Sequence, residues 1–138
     1  MTRWQTVAVV LGLLALAAAG PAAAPDQKTP TIKQVMDKLH KGANPPIARL
    51  RKELQADEPD WAAIQKTTKD FVILGAALAK NEPPKGNKES WARLAKQYFD
   101  YAKAMDDAAE QKDKAATLAA HAKLRGSCAA CHRAHKGR

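Results

Sequence analysis

The sequence has few aromatic residues and no stretch in which apolar and polar residues alternate. Phe, Trp and Tyr make up 5% of the 138 residues, whereas strands are usually rich in aromatic and β-branched side chains. Apolar residues instead recur at helical spacing over nearly all of the chain that follows Pro30. The sequence therefore predicts an all-α fold.

Long hydrophobic runs are also scarce, since only one is present and it lies near the N-terminus. Arg3 precedes it, it extends from Val7 to Ala19, and small residues follow it. This layout is typical of a secretory signal peptide. Because a membrane-spanning helix needs about 20 apolar residues, an uncleaved membrane anchor is the weaker alternative. We expect residues 1–24 to be a signal peptide, and the mature protein to be periplasmic or otherwise exported without a stable membrane span.

The rest of the chain is long enough for one domain with a single core. Residues 25–30 lie in a stretch rich in Pro, Ala and scattered polar residues, which predicts a flexible lead-in. Residues 31–138 then form the predicted helical domain.

Acidic residues are outnumbered, with 14 Asp and Glu against 23 Lys and Arg and a net charge of +9. Loss of Arg3 with the leader lowers the charge by one, to +8. A basic surface can steer an acidic partner, bind nucleic acid or simply be solvated. Export argues against nucleic acid, and the lysines are spread over all the predicted helices. Charge alone therefore does not identify a partner.

The helical segments are separated by prolines and short polar turns. They run from Thr31 to Lys41, from Pro46 to Ala56, from Pro59 to the residues before Pro83, from about Lys88 to Glu110, and from Lys112 or Asp113 toward His135. Pro59 suits the first turn of a helix, with Asp57 as its cap. Because Pro45-Pro46 interrupts the first two segments, they are one kinked helix or two helices at an angle. An antiparallel up-down-up-down four-helix bundle is predicted, and a five-helix arrangement is the alternative.

The two cysteines lie near the C-terminus in the sequence Cys128-Ala129-Ala130-Cys131-His132. This is the pattern of covalent haem attachment. Positions three apart share one face of a helix, so both thiols can reach two vinyl groups on one edge of a porphyrin. His132 can then be an axial ligand of the iron.

Three other interpretations of the cysteines stay open. Cys128 and Cys131 could form a structural disulfide. A thioredoxin-type redox pair would need a βαβ context that the sequence lacks. The same cysteines could bind zinc with His132 and His135. The full motif on an exported chain favours haem.

A haem motif at the C-terminus of an exported four-helix chain resembles the class II c-type cytochromes, the cytochrome c′ family; class I cytochromes place it near the N-terminus. The resemblance covers about Thr31 to Lys136. It rests on the motif, on the extension Arg133-Ala134-His135-Lys136 and on the early helix Ile32-Lys33-Gln34-Val35-Met36. Family members commonly carry a basic residue four after the ligand histidine, which implies that Lys136 tunes the iron. A lysine favoured by the helix dipole is the alternative.

The residue on the other side of the iron follows from topology. In an up-down bundle the end of the last helix lies beside the start of the first, which brings Met36 to the haem and leaves Met105 at the opposite end. In the resembled family, members with Met in the first helix are low-spin electron carriers, and members with an apolar residue there bind gases at five-coordinate iron. Met36 predicts the first type, and simple core packing is its alternative.

The other residues near the motif have lesser predicted roles. Leu74, Leu78, Trp91 and Leu94 are expected to line the haem pocket. We expect His40 and His135 at the surface. His121 lies eleven residues before His132, about 16 Å along the helix axis, which is too far to ligate the same iron.

The sequence thus predicts an exported monohaem c-type cytochrome that carries one electron and is not an enzyme. Its one haem c is covalently bound, and the predicted site residues are Cys128, Cys131, His132, Met36 and Lys136. The alternative function is binding of NO or CO at five-coordinate iron. The expected partner is a redox protein of acidic character, and the resembled family permits a homodimer.

Overall fold

The computed structural model describes residues 28–137, and within this range it contains five helices and no strand. The helices are α1 (Ile32–His40), α2 (Pro46–Leu54), α3 (Trp61–Ala79), α4 (Lys88–Glu110) and α5 (Lys114–His135). The predicted all-α fold is confirmed. The predicted signal peptide, residues 1–24, and residues 25–27 of the predicted lead-in lie outside the described residues. Of the described helices, none combines the length and the hydropathy needed to cross a membrane.

Polar side chains fix where four of the helices begin. Thr31 and Gln34 form a reciprocal capping box at the start of α1. Asp60, Asn87 and Asp113 precede α3, α4 and α5, and each accepts a hydrogen bond from a backbone N–H in the first turn. The prediction of Asp57 as the cap of the third segment was wrong. Asp60 takes that place because its Oδ1 lies 3.1 Å from the backbone nitrogen of Ala63.

The Pro45-Pro46 break is a corner between two separate helices. After α1 the chain is extended at Lys41, and Gly42 adopts a φ of +106°, which is a conformation that favours glycine. Pro45 is extended and Pro46 occupies the first turn of α2, where its missing N–H costs nothing. The first two predicted segments are therefore two distinct helices.

Helix α4 lies between α3 and α5 and packs against both, while α2 packs against α3 and α5. Phe71, Met105, Leu124 and Leu50 are fully buried where these four helices meet. The backbone of helix α1 lies close to α2 and α3, and none of its Cα atoms is within 8 Å of a Cα of α4 or α5. The main core therefore lies among α2, α3, α4 and α5, and α1 stands at its side.

His121 joins α5 to the start of α2. Its side chain is 2% exposed, and its Nε2 donates a hydrogen bond of 2.7 Å to the carbonyl oxygen of Ile47. Burial lowers the pKa of His121 below its ordinary value of 6.5. The hydrogen bond to Ile47 opposes this effect in part, and the nearby guanidinium groups of Arg125 and Arg51 add smaller effects that lower the pKa. The neutral imidazole is therefore favoured in the folded protein.

The glycines Gly126 and Gly75 provide a test of helix packing. A Cβ at Gly126 would have no atom within 4 Å, whereas a Cβ at Gly75 would lie 3.1 Å from Cε1 of Tyr98. We expect Gly126→Ala to raise the free energy of unfolding by about 0.5–1 kcal/mol, because alanine is the better helix former. Gly75→Ala should lower it, since the Tyr98 ring would have to move. Thermal unfolding of both variants measures this, and a Gly75→Ala protein as stable as the Gly126→Ala protein would contradict the packing.

The pKa of His121 predicts how acid affects stability. Because folding lowers this pKa, the contribution of neutral His121 to the free energy of unfolding is fully present above about pH 6.5 and is lost as the pH falls. His121→Gln keeps a donor for the Ile47 carbonyl and cannot titrate. We expect its free energy of unfolding to fall less between about pH 7 and about pH 5 than that of the wild type. Denaturant titrations at both pH values measure the two slopes, and equal slopes would show that His121 does not titrate with folding.

Candidate cofactor site

A cleft of about 910 Å³ opens between α1 and the C-terminal half of α5. Its walls come from α1, the end of α3, the N-terminal half of α4 and the last turns of α5. No Cα of α1 lies within 8 Å of any Cα of α4 or α5, so the cleft separates these helices. Pockets for small ligands and cofactors commonly have volumes of about 300–1,000 Å³. The cleft is large enough for a cofactor.

All five predicted site residues line this one cleft. Met36 lines it from α1, Cys128, Cys131 and His132 line it from α5, and Lys136 lines it just beyond the end of α5. The predicted lining residues Leu78, Trp91 and Leu94 are also present in its walls. The expectation that Leu74 lines the pocket was wrong, since it is buried without lining the cleft. Met105, which was not expected at the site, is fully buried in the core.

The chemistry of the walls suits a haem. The inner surface is largely apolar, with contributions from Ile32, Met36, Leu78, Trp91, Leu94 and Ala95. The rim carries ionic side chains, among them Asp37, which pairs with Lys33 and lies 3.4 Å from Nζ of Lys41. An apolar interior with a charged rim matches a macrocycle that is apolar on its faces and carries carboxylates at one edge. The donor set, with two thiols, an imidazole and a thioether, fits the same group.

The two cysteines are half-buried, and no disulfide joins them. Burial raises the pKa of both thiols, and the proximity of Cys128 raises that of Cys131 further. Redox-active cysteine pairs have thiols of lowered pKa, because the thiolate is the reactive form. These neutral thiols do not have the character of a thioredoxin-type pair.

Three of the four histidines are held in hydrogen bonds with protein groups. Nε2 of His40 lies 2.8 Å from the Tyr98 hydroxyl oxygen, and His121 donates to Ile47. His135 donates from Nδ1 to the carbonyl oxygen of Lys85 at 2.9 Å. In the described part of the chain, His132 is the histidine whose imidazole is not held in such a bond, and it is exposed on the wall of the cleft. His132 is therefore available as a ligand.

The expectation that His40 and His135 lie at the surface was wrong. His40 is half-buried in the cleft wall. His135 is only 2% exposed, its Nε2 lies 2.8 Å from Oγ of Ser90, and its ring stacks edge-on against Trp91. Both histidines are covered by partners that are distant in sequence, and helical periodicity carries no signal for such contacts.

Gly86 permits the burial of His135. Gly86 lies in the loop between α3 and α4 with a φ of +82°, and a Cβ there would lie 2.7 Å from Nδ1 of His135. With both ring nitrogens engaged, His135 is not free to bind a metal beside the cysteines. Among residues 28–137, no group of three or more His, Cys, Asp and Glu side chains is placed to hold a metal ion.

His40 and Tyr98, which form a hydrogen-bonded pair in the cleft wall, are both uncharged. Burial lowers the pKa of His40 to about 4, and the nearby His132 contributes in the same direction. Burial also raises the pKa of the Tyr98 hydroxyl well above its usual range. At neutral pH both groups are therefore neutral, which is the favoured state for polar groups that face an apolar cavity.

Comparison of the chain with protein-family models, with curated proteins and with solved structures found no match.

Gly86 and Gly42 make a matched pair of substitutions, since both have a positive φ and only Gly86 meets His135. We expect Gly42→Ala to cost about 1–2 kcal/mol of stability from backbone strain alone. Gly86→Ala should cost more, because it also displaces His135 from the Lys85 carbonyl. Chemical unfolding of the two variants measures the difference. Equal losses would show that the contact with His135 contributes nothing.

Proposed function

We propose that this protein is an exported c-type cytochrome that carries single electrons. One haem would be bound covalently through Cys128 and Cys131, and the imidazole of His132 would bind its iron. The observation that carries the proposal is that these three side chains line one apolar cleft, with the thioether of Met36 in the facing wall.

Each residue has a defined part in holding the haem. Cys128 and Cys131 lie three positions apart on α5, so both point from one face of the helix. His132 follows directly and supplies the imidazole. The apolar walls exclude water from the faces of the macrocycle. When bound, the haem supplies reversible one-electron chemistry, and the axial ligands and burial set its potential.

Met36 is proposed as the second residue that would bind the iron. It is half-buried in α1, across the cleft from α5. In the described helices, Met105 does not line the cleft and is fully buried in the core. A thioether ligand favours low-spin iron and electron transfer over gas binding.

Lys136 is proposed to tune the iron from the rim. Its backbone N–H donates a 3.0 Å hydrogen bond to the carbonyl oxygen of His132, and its side chain is exposed. This bond ties the position of Lys136 to that of the proposed ligand. A cation there would stabilise negative charge at the edge of the cleft.

We also propose that the helices form an up-down four-helix bundle whose first helix is broken into α1 and α2. Its support is the pattern of packing, in which α2, α3, α4 and α5 form a closed ring, each in contact with two neighbours. Residues 1–24 would direct export to the periplasm or its equivalent. The net charge of +8 that remains without Arg3 complements an acidic redox partner.

Mass spectrometry of protein from a host with haem-attachment machinery tests this function. We expect the mass of the processed chain plus one haem that survives denaturation, because thioether bonds are covalent. The Cys128→Ala, Cys131→Ala double variant should lose the added mass, and Gly126→Ala, on the same helix, should keep it. A wild-type mass without haem would refute the proposal.

The absorption spectrum then distinguishes the two candidate roles of the haem. Six-coordinate, low-spin iron with little reaction toward carbon monoxide is the expected result for an electron carrier. A five-coordinate ferrous spectrum with rapid carbon monoxide binding would reassign the protein to gas binding, and covalent attachment would stand.

A further inference from the structure

Helix α1, which forms the cleft wall that contains Met36, is held by packing on one side and by hydrogen bonds near its two ends. Helix α1 packs on α2 and α3, and none of its Cα atoms lies within 8 Å of α4 or α5. Before its first turn, Nδ2 of Asn81 donates a 2.9 Å hydrogen bond to the carbonyl oxygen of Pro30. The distance between α1 and the helices across the cleft therefore depends on a small number of side-chain contacts.

One of these contacts joins α1 to α4 at the other end of the helix. Nε2 of His40 lies 2.8 Å from the hydroxyl oxygen of Tyr98, and both residues line the cleft. Among residues 28–137, no other side-chain hydrogen bond joins α1 to α4. The His40 ring also stacks edge-on against Phe71 and Tyr98, with centroid separations of 5.8 and 5.9 Å.

Tyr98 is itself held firmly. Its side chain is 7% exposed, and its ring lies so close to α3 that a Cβ at Gly75 would be 3.1 Å from Cε1. The ring has no space behind it, so its hydroxyl offers a fixed point to His40. The side chains that meet there belong to α1, α3 and α4.

Met36 and His40 lie four residues apart on α1, which places them on the same face of the helix. Both line the cleft. A rotation or shift of α1 that moves His40 away from Tyr98 therefore also moves Met36 relative to α5.

We propose that Tyr98 and His40 are positioning residues that hold Met36 at the haem iron and so keep the iron six-coordinate. This inference rests on the proposed function. Loss of the hydrogen bond frees α1 to move, and Met36 then spends more time away from the iron.

The test compares Tyr98→Phe with Tyr101→Phe in the haem-loaded protein. Tyr101 is a matched control because it lies on the same helix and its hydroxyl is 3.3 Å from Nε2 of Gln97, also on α4. Tyr98→Phe should increase the high-spin fraction and raise the rate of carbon monoxide binding about fivefold to tenfold, as expected for loss of one hydrogen bond. Tyr101→Phe should match the wild type in both.

A double variant separates positioning from general loosening of the fold. In a Met36→Leu background there is no thioether to displace, so adding Tyr98→Phe should leave the carbon monoxide rate unchanged. If the rate rises equally in both backgrounds, Tyr98 acts only on stability and the inference is wrong. His40→Leu, which removes the same bond from the other side, should reproduce the effect of Tyr98→Phe.

The remaining outcomes also decide the question. Equal spectra and rates for Tyr98→Phe and Tyr101→Phe overturn the positioning role while leaving haem attachment intact. Six-coordinate iron in Tyr98→Phe together with five-coordinate iron in His40→Leu would show that His40 itself is the ligand, and this overturns the positioning role. Five-coordinate iron in the wild-type holoprotein also overturns the positioning role, because Met36 would then not bind the iron. A chain that carries no haem overturns the proposed function and the inference together.

Discussion

The corner between α1 and α2 determines where the cleft lies. Gly42, with its positive φ, and the extended Pro45 turn the chain before Pro46 begins α2. Helix α2 can then pack against α3 and α5 and complete the main core. Helix α1 is turned to the side, where it contacts α2 and α3 but leaves an open space in front of α4 and α5. The apolar residues that face this space from α1 have no helix packed against them, and a flat apolar cofactor is a suitable occupant.

Local signals account for the features that the sequence predicts well. The bounds of α4, Lys88–Glu110, agree with the prediction because Asn87 caps the helix and Pro83-Pro84 cannot continue the preceding one. Met36 and the motif line one cleft, and the sequence places them together only on the assumption of an up-down order of the helices. The environments of His40 and His135 could not be predicted, because Tyr98, Ser90 and Lys85 reach them only through tertiary packing. Gly86 indicates a turn in the loop before α4, but its position in the sequence does not indicate that the turn contacts His135.

Four titratable groups of the cleft wall, Cys128, Cys131, His40 and Tyr98, have pKa values shifted so that they are neutral at neutral pH. The thiols of Cys128 and Cys131 have raised pKa values, and burial holds the pKa of His40 to about 4. A neutral lining avoids the cost of burying charge in an apolar cavity. Formal charges lie instead at the rim, where Asp37 pairs with Lys33 and Lys41 in contact with solvent. This separation of a neutral interior from a charged rim suits a cofactor whose ionic groups lie at one edge.

The different roles of the histidines follow from the same geometry. His121 and His135 anchor α5 at two levels, to α2 through Ile47 and to the loop before α4 through Lys85. The Cys128–His132 motif lies between these two anchors, so the backbone that carries it is fixed on both sides while the His132 imidazole stays uncommitted. On the opposite wall, His40 fixes the turn of α1 that follows Met36. Three histidines are thus engaged with protein groups, two of them beside the motif and one on the opposite wall. In the described part of the chain, His132 is the histidine that remains available as a ligand in the proposed site, and the hydrogen bonds of its neighbours on α5 fix the backbone that carries it.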